Sequence, residues 1–243
     1  MNELINKIKG YGYWRVLIRP NKFGSNLISS LAEARKIIED SKIELRGWDY
    51  PHSDRELKAV SADSIESVCD WKEGPAYEYW RYFLSGQFVH YFAMREDCRI
   101  DATEAEKIKA RISFGEGKLE GVKLFFSVLS TLYTFTEIFF FASRLAQNGY
   151  LGEESIHLEI ELNKVNGRML FVGSERSLHR PYICHFQDDK FVINLDVTRA
   201  DLIENHAKMS LDNVLKVFES FGWEKPNREI FEDDQRKFLE RRL

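Results

Sequence analysis

LFFSVLSTLYTFTEIFFFASRLAQN, residues Leu124 to Asn148, is the longest apolar run in the chain, and how it is used decides the fold. Wound at about 100° per residue, it gathers Ser130, Thr134, Glu137, Arg144 and Asn148 onto one stripe, interrupted by Phe141. The rest of the circumference is mostly Phe, Leu, Ile, Val, Ala and Tyr. A helix apolar over most of its circumference is buried on several sides, so the run predicts a central core helix with sheet and further helices packed around it. Asn148-Gly149 supplies its stop, because Gly tolerates the left-handed conformation that closes a helix. A membrane span and a dimer-interface helix are the competing uses, and a lone Glu137 in mid-bilayer weighs against the first. Glu137 and Arg144 lie two helical turns apart, too far for an ion pair, so each is expected to find its partner on another element.

The chain has 243 residues, 44% hydrophobic and 30% charged, enough for one sizeable core or two small lobes dividing near 149–154. A net charge of -4 argues against broad nucleic-acid binding. Cys69, Cys98 and Cys184 are isolated and odd in number, which reads as a reducing, cytoplasmic setting. The opening MNELINKIKGYGYW lacks the apolar segment of a secretory signal.

Working outward, 1–9 forms a short amphipathic helix ended by Gly10 and Gly12, and Tyr13 to Arg19 a strand stopped by Pro20. Ser29 to Asp40 is a helix capped at Ser29 or Ser30. Lys42 to Arg46 is a second strand, so the front of the chain reads β-α-β. Ile65 to Lys72 is a strand turned by Glu73-Gly74-Pro75. Tyr77 to Leu84 and Gln87 to Met94 flank the hairpin turn Ser85-Gly86, with a helix over 76–84 as the alternative. Residues 97–121 read as a charged surface excursion. Beyond the central helix, Ser155 to Leu162 alternates cleanly, and Asn166-Gly167 predicts a hairpin into Arg168 to Val172. Tyr182 to Phe186 and Phe191 to Val197 predict another around Asp188-Asp189. Helices over Thr198 to His206, Ser210 to Phe221 and Asn227 to Arg242 close the chain. The fold class is α+β, a mixed or antiparallel sheet packed around a long apolar helix, with a helical C-terminus.

No Walker loop, GxGxxG, CxxC, HExxH or GxSxG is present, so no cofactor or metal is implied. The unusual segment is Arg46-Gly47-Trp48-Asp49-Tyr50-Pro51-His52: aromatic planes for stacking, Arg for a carboxylate or phosphate, and His for a pH-sensitive contact. Its structural reading has Trp48 and Tyr50 plugging the sheet end while Arg46 neutralises a buried carboxylate such as Glu137. A second cluster, Trp80-Arg81-Tyr82 with Ser85 to His90, repeats the mixture and makes Trp80, Gln87 and His90 candidates to join Arg46 and His52 in one site.

The strings LRGWDYPH (45–52), WRxxxSGQFVH (80–90) and TEIFxFxxRL (136–145) together resemble a bacterial family in which this region sometimes accompanies a Schlafen-like DNA-binding or ATP-binding domain. The resemblance implies that the three clusters act as one unit, and no activity comes with it. The candidate site is therefore Arg46, Trp48, Tyr50, His52, Trp80, Gln87, His90, Glu137 and Arg144. The expected function is a non-enzymatic module binding a small ligand or a protein partner in a regulatory or defence setting. The alternatives are a metal-dependent hydrolase or nuclease using Glu137 and Asp49, and a structural or homo-oligomeric subunit.

Overall fold

Strand β1 (Tyr13–Pro20) is buried at every second residue, with Trp14, Val16 and Ile18 facing inward. In the computed structural model, which describes residues 2–22, 27–53, 57–71, 76–112, 119, 121–149 and 155–242, β1 is an interior strand of a seven-stranded antiparallel sheet. On one side lie β7 (Phe88–Ala93), β6 (Ala76–Phe83), β5 (Ser64–Trp71) and β4 (Lys58–Ser61), and on the other β9 (Ser155–Asn163) and β11 (Lys190–Thr198). Residues facing each other across antiparallel strands share a face. One inward row therefore runs Ile193, Ile160, Val16, His90, Trp80 and Ser67. The next contains Leu162, Trp14, Phe92 and Glu78. This places two polar side chains, His90 and Glu78, diagonally adjacent on a face otherwise covered by the core.

That face carries the central helix α5 (Val128–Gly149). Phe141 of α5 packs 4.9 Å from Phe88 and Phe135 lies edge-on to Trp14 at 5.5 Å. On its far side, Phe140 stacks on His206 of α6 (Arg199–Ser220), and Tyr133 on Phe238 of α7 (Arg228–Leu239) at 4.0 Å. Burying each such ring contributes about 1.5–3 kcal/mol. Helix α2 (Leu31–Ser41), capped at Ser30, flanks the C-terminal end of α5. Helix α1 (Asn2–Gly10) lies on the other sheet face, where Leu4 and Ile8 meet Tyr79. No helix of the described residues is long and apolar enough to cross a membrane.

Several expectations are corrected. Leu124–Ser127 is strand β8, paired in parallel with β10 (Arg168–Phe171), so the apolar run starts as strand. Its residues divide between two cores, Phe125 joining Ile108 and Met169 and Phe126 joining the main one. The helix begins at Val128, where Ser127 Oγ accepts the Ser130 N–H at 3.2 Å. Gly149, the last residue of α5, is not itself left-handed. A Cβ there would sit 2.8 Å from Ile37 Cγ2 and 2.8 Å from Tyr82 Oη, so close approach rather than φ demands glycine. Replacing Gly149 by Val is therefore expected to lower stability by about 1–3 kcal/mol, read from the denaturant midpoint.

The front β-α-β unit does not form, because both edges of β1 are taken by β7 and β9. The second strand shrinks to β2 (Ile43–Glu44), pairing only with β3 (Asp49–Tyr50). For the same reason β10 cannot pair with β9, which lies between β1 and β11. The Asn166-Gly167 turn instead sends the chain to β8, and β11 pairs with β9 rather than with 182–186. Among 97–121, short helix α3 (Arg95–Arg99) is followed by α4 (Ala102–Ala110), which contributes Ile108 to a small core that also holds Ile112. The two helices expected over 198–221 are one, since Ser210 Oγ donates to Ala207 O and accepts from Gln235 rather than capping a new start. The Glu73-Gly74-Pro75 turn lies outside the described residues.

Candidate ligand-binding cleft

Between β2 and β3 the chain reverses at Gly47, whose φ of +83° is left-handed and suits glycine. The reversal turns Arg46 inward to α5 and leaves Trp48 outside, 37% exposed. Arg46 Nη2 donates to Thr134 Oγ1 at 2.8 Å and lies 2.8 Å from Glu137 Oε2. Its guanidinium also rests 5.7 Å from the ring centres of both Tyr133 and Phe238. Glu137, 3% exposed, leaves Oε1 buried without a hydrogen bond among the described residues. Burial pushes its carboxyl up to about 7, against the pull of Arg46 and Arg95 and with a further push from Glu78.

A second polar chain fastens the loop to the sheet. Glu78 Oε1 accepts the His52 N–H at 2.8 Å and lies 2.8 Å from His90 Nε2. His90 Nδ1 is 3.2 Å from Tyr50 Oη. Burial raises the Glu78 carboxyl, but the His90 ring and the His52 N–H more than offset it and hold it below the ordinary range. An ionised carboxylate only accepts, so Nε2 carries the hydrogen towards Glu78, and in the neutral ring Nδ1 accepts from Tyr50. Tyr50 is buried and its phenol is raised well above its usual value, first by burial and then by Glu78 and Glu137. Trp80 Nε1 completes the set by donating to His52 O at 2.7 Å.

Arg46, Tyr50, Glu78, His90, Thr134 and Glu137 line a narrow cleft with a volume of about 60 Å³. Arg46, Glu137 and Thr134 lie on one side, Tyr50, Glu78 and His90 on another, with Trp48 and Arg95 also in the wall. Arg95 opens α3, and its guanidinium sits 4.2 Å from the Trp48 ring centre. It makes no hydrogen bond or ion pair with any described residue. Burial lowers its pKa, and the neighbouring positive charges of Arg46 and Arg99 lower it further. A partly dehydrated guanidinium with no carboxylate partner leaves donors available for an anion.

Of the residues singled out in the sequence, Arg46, Trp48, Tyr50, His90 and Glu137 meet in the cleft. Four others do not line it. Trp80 is fully buried behind it, and His52 contributes its backbone while its ring lies edge-on to Trp71 at 5.1 Å. Gln87 precedes Phe88, at the far end of β7 from the cleft wall at Phe92 and Ala93. Arg144 donates to Lys42 O at 2.7 Å, holding α5 to the chain that follows α2. Glu78 and Arg95 are the functional candidates that sequence reasoning missed. Among the described residues, no three His, Cys, Asp or Glu side chains gather where they could hold a metal ion. Comparison with protein families, curated proteins and solved structures found no match for this chain.

Proposed function

We propose that the protein is a non-enzymatic, cytoplasmic binding module whose cleft takes a small anionic ligand in a sensing or regulatory setting. The observation that carries this reading is Arg95, a half-buried guanidinium over Trp48 in the cleft wall, with no ion-pair partner among the described residues. Free cations on protein surfaces are usually solvated, whereas this one has exchanged part of its water for an indole face and neighbouring positive charge. A carboxylate or phosphate in the cleft would satisfy its fork, and Trp48 offers a plane for an attached ring. Arg46 and the Glu78–His90–Tyr50 chain hold the loop that presents Trp48, so the site is organised before ligand arrives.

The test is a thermal-unfolding panel of small carboxylates, phosphates and sulfonates. Ligand at about 100 times its Kd stabilises the folded state by about 2.7 kcal/mol. Arg95→Ala is expected to fold, since no ion pair is lost, and to weaken binding about 10- to 100-fold, the loss of one charge-assisted contact. A panel in which no anion shifts the wild-type midpoint, or in which Arg95→Ala responds as wild type does, removes the proposal.

A further inference from the structure

Glu137 and Arg46 form the buried floor of the same cleft, and they are a single ion pair joined through one oxygen and one nitrogen. Glu137 Oε1 and Arg46 Nε, both buried, make no hydrogen bond among the described residues. A second guanidinium, Arg95, lies in the wall and acts electrostatically on both Arg46 and Glu137. An anion entering between the two arginines would compete with the Glu137 carboxylate for Arg46. It would also set a like charge against that carboxylate in a poorly solvated place.

We propose that the cleft binds a small dianion, of the phosphate-monoester or dicarboxylate kind, and that Glu137 takes up one proton as it does so. The inference rests on the anion-binding reading above and specifies its ligand charge and its regulation. On binding, a proton moves from solvent to the Glu137 carboxylate, and Arg46 is released from that carboxylate to the ligand. The two guanidinium charges then match the two ligand charges. Burial has already raised the Glu137 carboxyl to about 7, so the exchange occurs near neutral pH.

The other titratable or charged groups lining the cleft with Glu137 are Arg46, Asp49 and Tyr50 from the loop, Tyr77 and Glu78 from β6, His90 from β7, and Arg95, Glu96 and Cys98 from α3. Glu78 is already committed to His90 and the His52 N–H, and Glu96 accepts the Ser127 N–H at 3.1 Å. Asp49 faces Lys42 at 3.7 Å. Glu137 is the carboxylate of this set that is bonded to a cleft arginine and keeps an oxygen without a partner.

Sulfate and succinate serve as probes, because both remain essentially dianionic from pH 6.5 to 8.5, so that any pH dependence belongs to the protein. Each is titrated into the full chain at constant ionic strength, read by tryptophan fluorescence or amide chemical shifts. Affinity for at least one is expected to fall about tenfold per pH unit above pH 7, the slope of one linked proton. The singly charged methanesulfonate is expected to bind about tenfold or more weakly than sulfate, one charge-assisted contact being lost. In Glu137→Gln the slope is expected to vanish, with binding at pH 8 as tight as wild type shows at pH 6.5. Calorimetry of the wild type in buffers of different ionisation enthalpy gives the proton count without any variant and is expected to approach one proton taken up. Dianion binding that needs Arg95 but shows no pH slope, or a slope that survives Glu137→Gln, overturns this inference and leaves the anion-binding reading standing. Failure of every anion to bind at any pH overturns both.

Discussion

Replacing Arg168 by alanine is expected to cost about 3–5 kcal/mol of stability, one of the largest single-residue effects in the molecule. Arg168 is 1% exposed and faces Asp97 with both ends of its fork, Nη1 to Oδ1 and Nη2 to Oδ2, each at 2.6 Å. Nη1 also donates to Phe125 O at 3.0 Å and Nε to Lys164 O at 2.5 Å. Asp97 Oδ2 also accepts the Gly12 N–H at 2.6 Å, so one carboxylate ties α3 to the start of β1 and to β10. Truncating Arg168 leaves Asp97 nearly dry and without its countercharge, which is costlier than never having had the pair. Lysine does not replace it, since a single ammonium cannot occupy the two-pronged geometry. Because α3 carries Arg95 two residues before Asp97, the variant is also expected to lose its response to anions. Equilibrium urea unfolding gives the first quantity and ligand-dependent thermal shifts the second.

The second large effect is in the pH dependence of stability. Glu137 has a folded-state pKa of about 7 against 4.5 ordinarily, because burial disfavours its charge. A raised folded-state pKa means that its contribution is fully present below the unfolded value and is lost as pH rises through the folded one. Between about pH 4.5 and 8 the wild type should therefore lose about 3 kcal/mol relative to Glu137→Gln, whose amide does not titrate. Denaturant titrations of both proteins across that range check it. A constant difference between the two curves would show that Glu137 is ionised alike in both states.

Much of the fold could be read locally. Alternation at Tyr13 to Arg19 and Ser155 to Leu162 needs only the two-residue period of a strand, and those strands form. The Ser85-Gly86 turn closes the hairpin expected of it, with Tyr82 opposite Phe88. What could not be read was pairing between distant strands, because a hairpin turn signals a reversal and not which edge is still open. Asn166-Gly167 does make its turn, Gly167 having a φ of +73°, yet the strand it launches leaves β9 because both β9 edges are occupied.

The candidate site follows the same division. The need of Glu137 for a partner from another element was legible from its place on an apolar helix, and the partner is Arg46. Glu78 was within reach of the same reasoning. Counting back from the Ser85-Gly86 turn sets Trp80 opposite His90, and the residue two positions before Trp80 must share their face. Arg95 carried no such signal. It sits in Arg95-Glu96-Asp97-Cys98-Arg99, a run of mixed charge that reads as a solvated surface, and only the return of the 46–52 loop brings Trp48 over it.

The most direct test of the anion-binding cleft is native mass spectrometry of the wild type and of Arg95→Ala, each purified gently from an expressing host and measured beside its denatured mass. An anion-binding cleft predicts an excess mass on the native wild type that is lost on denaturation, belongs to an acidic compound, and is absent from Arg95→Ala. A wild-type protein that carries no added mass, or an adduct retained in full by Arg95→Ala, would contradict it.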